Sequence, residues 1–138
     1  MGPVGIACMD VTGDAKPDIV VACSGAGIVD NIGLLTGTGD GRFNPQQLFT
    51  AGDSPQTVWL GDANGDGQID AMVSNLNSQN ISYLPGLGTL GFGTAVNTPL
   101  GGAPEDVIVT DLNKDLLLDV ASVNISNMTL NVFLQQCR

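Results

Sequence analysis

The stretch Asp62–Asp70, "DANGDGQID", sets oxygen-bearing side chains at its first, third, fifth and ninth positions and a glycine at its sixth. Calcium loops begin this way. A loop of the EF-hand kind also needs a glutamate at position twelve and a helix on each side. Position twelve is Val73, and the flanks are "QTVWL" (56–60) and "AMVSN" (71–75). Short apolar, partly β-branched runs bounded by Gly, Pro and Asn are strand patterns. The loop is therefore expected to join two antiparallel strands, with Asp70 taking the place of the missing glutamate.

The pattern recurs on either side. "DVTGDAKPD" runs from Asp10 to Asp18 and "DLNKDLLLD" from Asp111 to Asp119, so the first aspartates stand 52 and 49 residues apart. A proline precedes each by seven residues: Pro3, Pro55 and Pro104. A second apolar run follows each loop, and a third begins at Ile32, Ile81 or Leu130. In the first two units a phenylalanine comes eleven residues later, Phe43 in "GDGRF" and Phe92 in "GTLGF". Landmarks in constant register over units of about fifty residues mark a repeat protein.

Each full unit holds four strand-like runs, which is the signature of an all-β fold of β-propeller blades. The expected units are residues 1–51, 52–101 and 102–138, the last stopping before a fourth strand. The first strand of each unit is nearly continuously apolar and is expected to lie innermost, covered on both faces. Cys8 and Cys23 fall in such apolar runs and are expected to be buried free thiols, and Trp59 to serve the core. "GLGTLG" (86–91) imitates a dinucleotide fingerprint, but it occupies the register of "GTGDGRF" one unit earlier and reads as a turn.

The order of Pro, apolar run, D-x-[NT]-x-D-x-x-x-D, apolar run, third strand and G-x-G-x-x-x-F resembles the FG-GAP, or VCBS, repeat of integrin α-subunit propellers and of many bacterial secreted proteins. That resemblance implies calcium in the hairpin loop between the first and second strands of a blade, up to three ions here. It implies ligands from the side chains at loop positions one, three, five and nine and the carbonyl at seven. These are Asp62, Asn64, Asp66, Gln68 (carbonyl) and Asp70 in the second loop. In the first they are Asp10, Thr12, Asp14, Lys16 (carbonyl) and Asp18, and in the third Asp111, Asn113, Asp115, Leu117 (carbonyl) and Asp119. Calcium takes six to eight such oxygens. Carboxylates converging without an ion would repel by about 1 kcal/mol per pair at 4 Å in water and about 4 at an effective dielectric of 20. The competing reading is a set of Asx turns that hold no metal. Loops one and three have Ala15 and Leu116 at position six, where a left-handed backbone strains a side chain.

Composition limits the function. Fourteen acidic and four basic residues give a net charge of −10, which argues against nucleic acid or anionic lipid as a partner. No run resembles a membrane span or a secretory signal; the resemblance implies a parent protein that is secreted or held at the cell surface. The sequence has no histidine and a single glutamate, Glu105, so catalysis is not expected. The expected function is a calcium-binding module for protein ligands or adhesion. The alternatives are a lectin-like glycan binder and a structural accessory module. One Trp and one Tyr give little aromatic platform for sugars. Asp30, Asn75, Asn77 and Asn127, in loops between second and third strands, are candidates for a ligand face.

Fewer than three complete blades cannot close a ring, since propellers need about four to eight. The expected partner is therefore a second copy, two three-blade arcs closing a six-blade ring, or the remainder of a longer propeller. Cys137 is a candidate for an intermolecular disulfide.

Overall fold

The computed structural model describes residues 2–25 and 31–136. Its strands form three antiparallel sheets. The first, in the order β1 (Gly2–Met9), β2 (Asp18–Ser24), β3 (Asn31–Leu35) and β4 (Gln47–Thr50), is a simple meander. The second repeats it with β5 (Pro55–Gly61), β6 (Asp70–Asn75), β7 (Asn80–Leu84) and β8 (Val96–Pro99). The third, among the described residues, has β9 (Pro104–Thr110), β10 (Asp119–Asn124) and β11 (Thr129–Phe133). This is an all-β architecture of propeller-like blades, and the row of sheets is not closed into a ring.

Each repeat landmark has a local physical task. Pro55 and Pro104 open their strands and Pro3 stands second in β1, and the ladder slips beside each of them, between Pro3 and Gly5, between Pro55 and Val58, and opposite Pro104. Proline has no N–H for the ladder and is confined to strand starts and bulges. "GLGTLG" turns through a single 3-10 turn at Gly88–Leu90. There Gly86 bridges Phe92 as Gly37 bridges Phe43, which places both G-x-G-x-x-x-F segments in one register.

The sheets stack through alternate faces of their strands. β1 lies against β5 and β5 against β9. Val20, Ile32 and Leu34 of the first sheet meet Leu60, Ala71, Val73, Leu84 and Phe92 of the second. Each large aliphatic removed from water in this way stabilises the fold by about 1.5–3 kcal/mol. Phe49 and Phe92 seal the seam with an edge-to-face contact, centroids 5.4 Å apart.

Among the described residues, β5 alone of the first strands lies between two sheets. No residue of β5 is exposed, although only Pro55 and Leu60 are buried, whereas β1 turns Ala7 to the core and leaves Ile6 71% exposed, with Val4 and Cys8 also exposed on that strand. Cys8 is thus exposed rather than buried, because no described residue covers the flank of β1 away from the second sheet; Cys23 is buried as expected. Trp59 is only half-buried and lies over Gly61, where a side chain would collide with its ring. Asn75 is no surface residue. It is fully buried, accepting from the Gly52 N–H and donating to Val73 O, Asn80 Oδ1 and Ser82 Oγ. Asn77 and Asn127 are exposed, while Asp30 and Cys137 lie outside the described residues.

Candidate metal centres

The three hairpin loops share one hydrogen-bond frame. Asp62 Oδ1 accepts from the N–H groups of Gly65 (2.7 Å) and Asp66 (3.1 Å), and Oδ2 from Gly67 (2.8 Å). Asp10 takes Gly13, Asp14 and Ala15 in the same way, and Asp111 takes Lys114, Asp115 and Leu116. Three successive N–H groups can converge on one carboxylate only if the chain winds left-handed at positions four and six. Positive φ is found at Gly65 and Gly67 (both 82°), at Gly13 and Ala15 (74° and 65°), and at Lys114 and Leu116 (66° and 71°). The frame therefore forms even where the residue disfavours it.

Position five is held from position seven. Asp66 Oδ1 accepts from Gln68 N, Asp14 Oδ1 from Lys16 N, and Asp115 Oδ1 from Leu117 N. At position three Asn64 and Asn113 each accept the N–H of position five and donate to its second oxygen. Thr12 instead bonds Asp18 Oδ2 through both its N–H and its hydroxyl. Asn64 also donates to the Tyr83 hydroxyl at 3.1 Å. Burial, helped by the charge of Asp70, pushes the Tyr83 phenol above its ordinary value. The N–H of Gly67, with those of Gly65 and Asp66, holds the Asp62 carboxyl below the usual carboxylate value of 3.8. Asp14 is lowered chiefly by the Lys16 ammonium, 2.9 Å from its Oδ2.

The ninth-position aspartates do something that the spacing does not reveal. Asp18, Asp70 and Asp119 have no solvent exposure. Asp70 Oδ2 accepts from Ala63 N (3.0 Å) and Oδ1 from Gly86 N (2.7 Å), so one carboxylate ties the loop to the chain leaving the third strand. Asp18 ties Val11 and Gly37, and Asp119 ties Leu112 and Gln135. The first glycine of G-x-G-x-x-x-F belongs to this clamp. A side chain at Gly37 or Gly86 would strike the carbonyl of Pro17 or Ile69 beneath it. The interval from the ninth aspartate to that glycine is nineteen residues in the first unit and sixteen in the second, so no constant spacing announced the clamp.

The donor chemistry is that of a hard cation: carboxylate, amide and carbonyl oxygens, with no sulfur or imidazole. Asp66, Asn64, Asp14, Asn113 and Asp115 are exposed, and Asp10, Asp62 and Asp111 are partly so. Among the described residues no group of three or more His, Cys, Asp or Glu side chains is drawn together to hold a metal ion. The N–H groups that divide the carboxylates among themselves account for that spacing.

The family model of the FG-GAP-like repeat matches residues 10–73. This stretch, 64 of the 138 residues, is similar to the FG-GAP-like repeat. Neither the curated proteins nor the solved structures gave a match. The FG-GAP-like match opens on Asp10, the first residue of the first loop, and runs through the second loop to Val73 in β6. The third loop and β9–β11 continue the same frame beyond it.

Proposed function

We propose that this chain is a calcium-binding, non-catalytic propeller-like module, of a secreted or cell-surface protein, that presents its loops to a protein ligand. The observation that supports calcium is the threefold recurrence of one loop frame. A shared, partly strained winding at positions four and six leaves the oxygen donors at position five, and at position three of the second and third loops, exposed and those at position one partly exposed. The second loop is the best candidate, since both of its left-handed positions are glycines and no ammonium lies on its carboxylates. Asp62, Asn64, Asp66 and the Gln68 carbonyl would hold the ion, with Asp70 fixing the loop behind them. The ion would neutralise the two exposed carboxylates and cross-link the loop. Asp10, Thr12, Asp14, Lys16 and Asp18, and Asp111, Asn113, Asp115, Leu117 and Asp119, are the corresponding sets.

Two measurements test this reading. Urea unfolding in excess chelator and in about 10 mM calcium should differ by RT ln(1 + [L]/Kd), about 2.7 kcal/mol if the ligand stands at a hundred times Kd. Identical midpoints would sink the proposal. Terbium, a calcium surrogate, should show tyrosine-sensitised emission from the second loop, because the Tyr83 hydroxyl touches Asn64. Calcium should displace that emission, and Asp66→Asn should abolish it. A glycan array would separate a protein-binding face from a lectin: a reproducible hit competed by free sugar would favour the second.

Association with a second copy belongs to the same reading. Val4 and Ile6 at one end, and Ile108 (52%), Val123 (48%) and Leu130 (64%) at the other, are apolar and exposed. The stacking of one sheet on the next is the contact each end lacks. Light scattering should find a dimer, and a stable 14.1 kDa monomer at micromolar concentration would refute closure by a second copy.

A further inference from the structure

Asn64 alone among the asparagines of the sequence is followed by a glycine, and both residues are exposed. Asparagine side chains are chemically labile, and a glycine on the C-terminal side leaves the next backbone nitrogen without steric cover. The space at Gly65 is open. Apart from its two chain neighbours, no described atom stands within 4 Å of the place a side chain there would occupy. The reaction this allows is closure of the Gly65 nitrogen on the side-chain carbonyl carbon of Asn64. In the folded loop both reactants are held. The Gly65 N–H donates to Asp62 Oδ1 at 2.7 Å, while the Asn64 amide accepts from the Asp66 N–H and donates to Asp66 Oδ2 and to the Tyr83 hydroxyl. These four hydrogen bonds stand between the nitrogen and the carbon.

We propose that Asn64–Gly65 is a site of self-deamidation, and that the loop frame holds the reaction back until the hairpin opens. The Gly65 nitrogen bonds to Asn64 Cγ, the Cγ–Nδ2 bond breaks, and the Gly65 amide proton leaves with that nitrogen as ammonia. Water then opens the cyclic imide. Cleavage at Cγ leaves an aspartate in place of Asn64, whereas cleavage at the main-chain carbonyl leaves an isoaspartate, whose backbone is one carbon longer. Each product alters the frame. The aspartate sets two carboxylates against each other where Asn64 Nδ2 now lies 2.9 Å from Asp66 Oδ2, and the isoaspartate shifts the following N–H groups out of register with Asp62. The third loop supplies a comparison within the chain. Asn113 makes the same two bonds to Asp115 and the Lys114 N–H the same bond to Asp111, but Lys114 carries a side chain beside the nitrogen. The chemistry needs no bound ion and stands apart from the calcium reading.

The test is incubation of the full chain in mildly alkaline buffer, folded and in guanidinium chloride, with its peptides followed by mass spectrometry and fragmentation that separates aspartate from isoaspartate. The unfolded chain should convert Asn64 about tenfold or more faster than Asn113. The folded chain should convert Asn64 about tenfold or more slower than the unfolded one, because the hydrogen bonds of the loop must first open. Tyr83→Phe removes one acceptor of the Asn64 amide. It should quicken conversion in the folded chain by about two- to tenfold and leave the unfolded chain's rate unchanged. Equal conversion of Asn64 and Asn113 in the unfolded chain overturns the site. Folded conversion as fast as unfolded, or no quickening by Tyr83→Phe in a chain with unchanged circular dichroism, overturns control by the frame.

Discussion

The first and second loops wind alike and differ in what neutralises them. Each gathers three N–H groups on its first aspartate and ties its ninth to the third strand's exit. In the first loop Lys16 lies on Asp14, so the chain supplies its own cation. In the second the same position is Gln68, whose side chain brings no charge, and only the Asn64 amide faces Asp66 Oδ2. Backbone geometry is thus common property, while the charge beside the fifth-position carboxylate is set by one side chain. Exposed pairs of this kind contribute little to stability, but an ammonium among the candidate ligands must be displaced before an ion binds.

The largest effect should come from the shared clamp. Asp70→Ala leaves the N–H groups of Ala63 and Gly86 without partners and should cost about 3 kcal/mol. Asp18→Ala should cost a similar amount, in chelator and in calcium alike. Urea unfolding checks this, and a loss confined to calcium-containing buffer would mean that position nine acts through the ion. Next, Lys16→Gln should give the first loop the second loop's affinity, raising the number of calcium ions counted by isothermal titration by one. An unchanged count would show that Lys16 is not what separates the loops.

A smaller effect concerns strain. Ala15→Gly relieves a side chain at φ 65° and Gly67→Ala introduces one at φ 82°. The first should stabilise and the second destabilise, each by about 1 kcal/mol. The smallest effect is in the acid titration. Asp14 and Asp62 both have lowered values, so what they contribute is complete above the ordinary carboxylate value and is lost as pH falls through the lowered one. Salt or Lys16→Gln should relax the lowering at Asp14, which depends on an ammonium, and spare Asp62, which depends on backbone N–H groups. NMR titration of the two carboxyls distinguishes them.

Much of the blade was legible because its determinants are local. A proline cannot extend a ladder, a two-residue period selects a strand, and an Asx-rich loop between two such runs makes a hairpin. The seven-residue interval from proline to aspartate and the eleven from third strand to phenylalanine reappear as bulge and bridge. Cys8 was not legible. Its run is as apolar as that of β5, but among the described residues nothing packs on the outer face of β1, and the thiol stays exposed. Asn75 reads as a loop residue, yet Gly52, 23 residues away in sequence, supplies the N–H that makes its burial tolerable.

The sequence by itself determined the repeat, the strand-loop-strand unit and the oxygen-rich loops, since each follows from intervals shorter than one blade. Tertiary structure alone decided the rest. It assigned the ninth aspartates to a buried clamp, because their partners arrive from a strand sixteen or more residues away. It also set β5 between two sheets and left the outer face of β1 exposed. Both depend on surfaces meeting across sheets, and a pattern within one strand records which face is apolar but not what covers it.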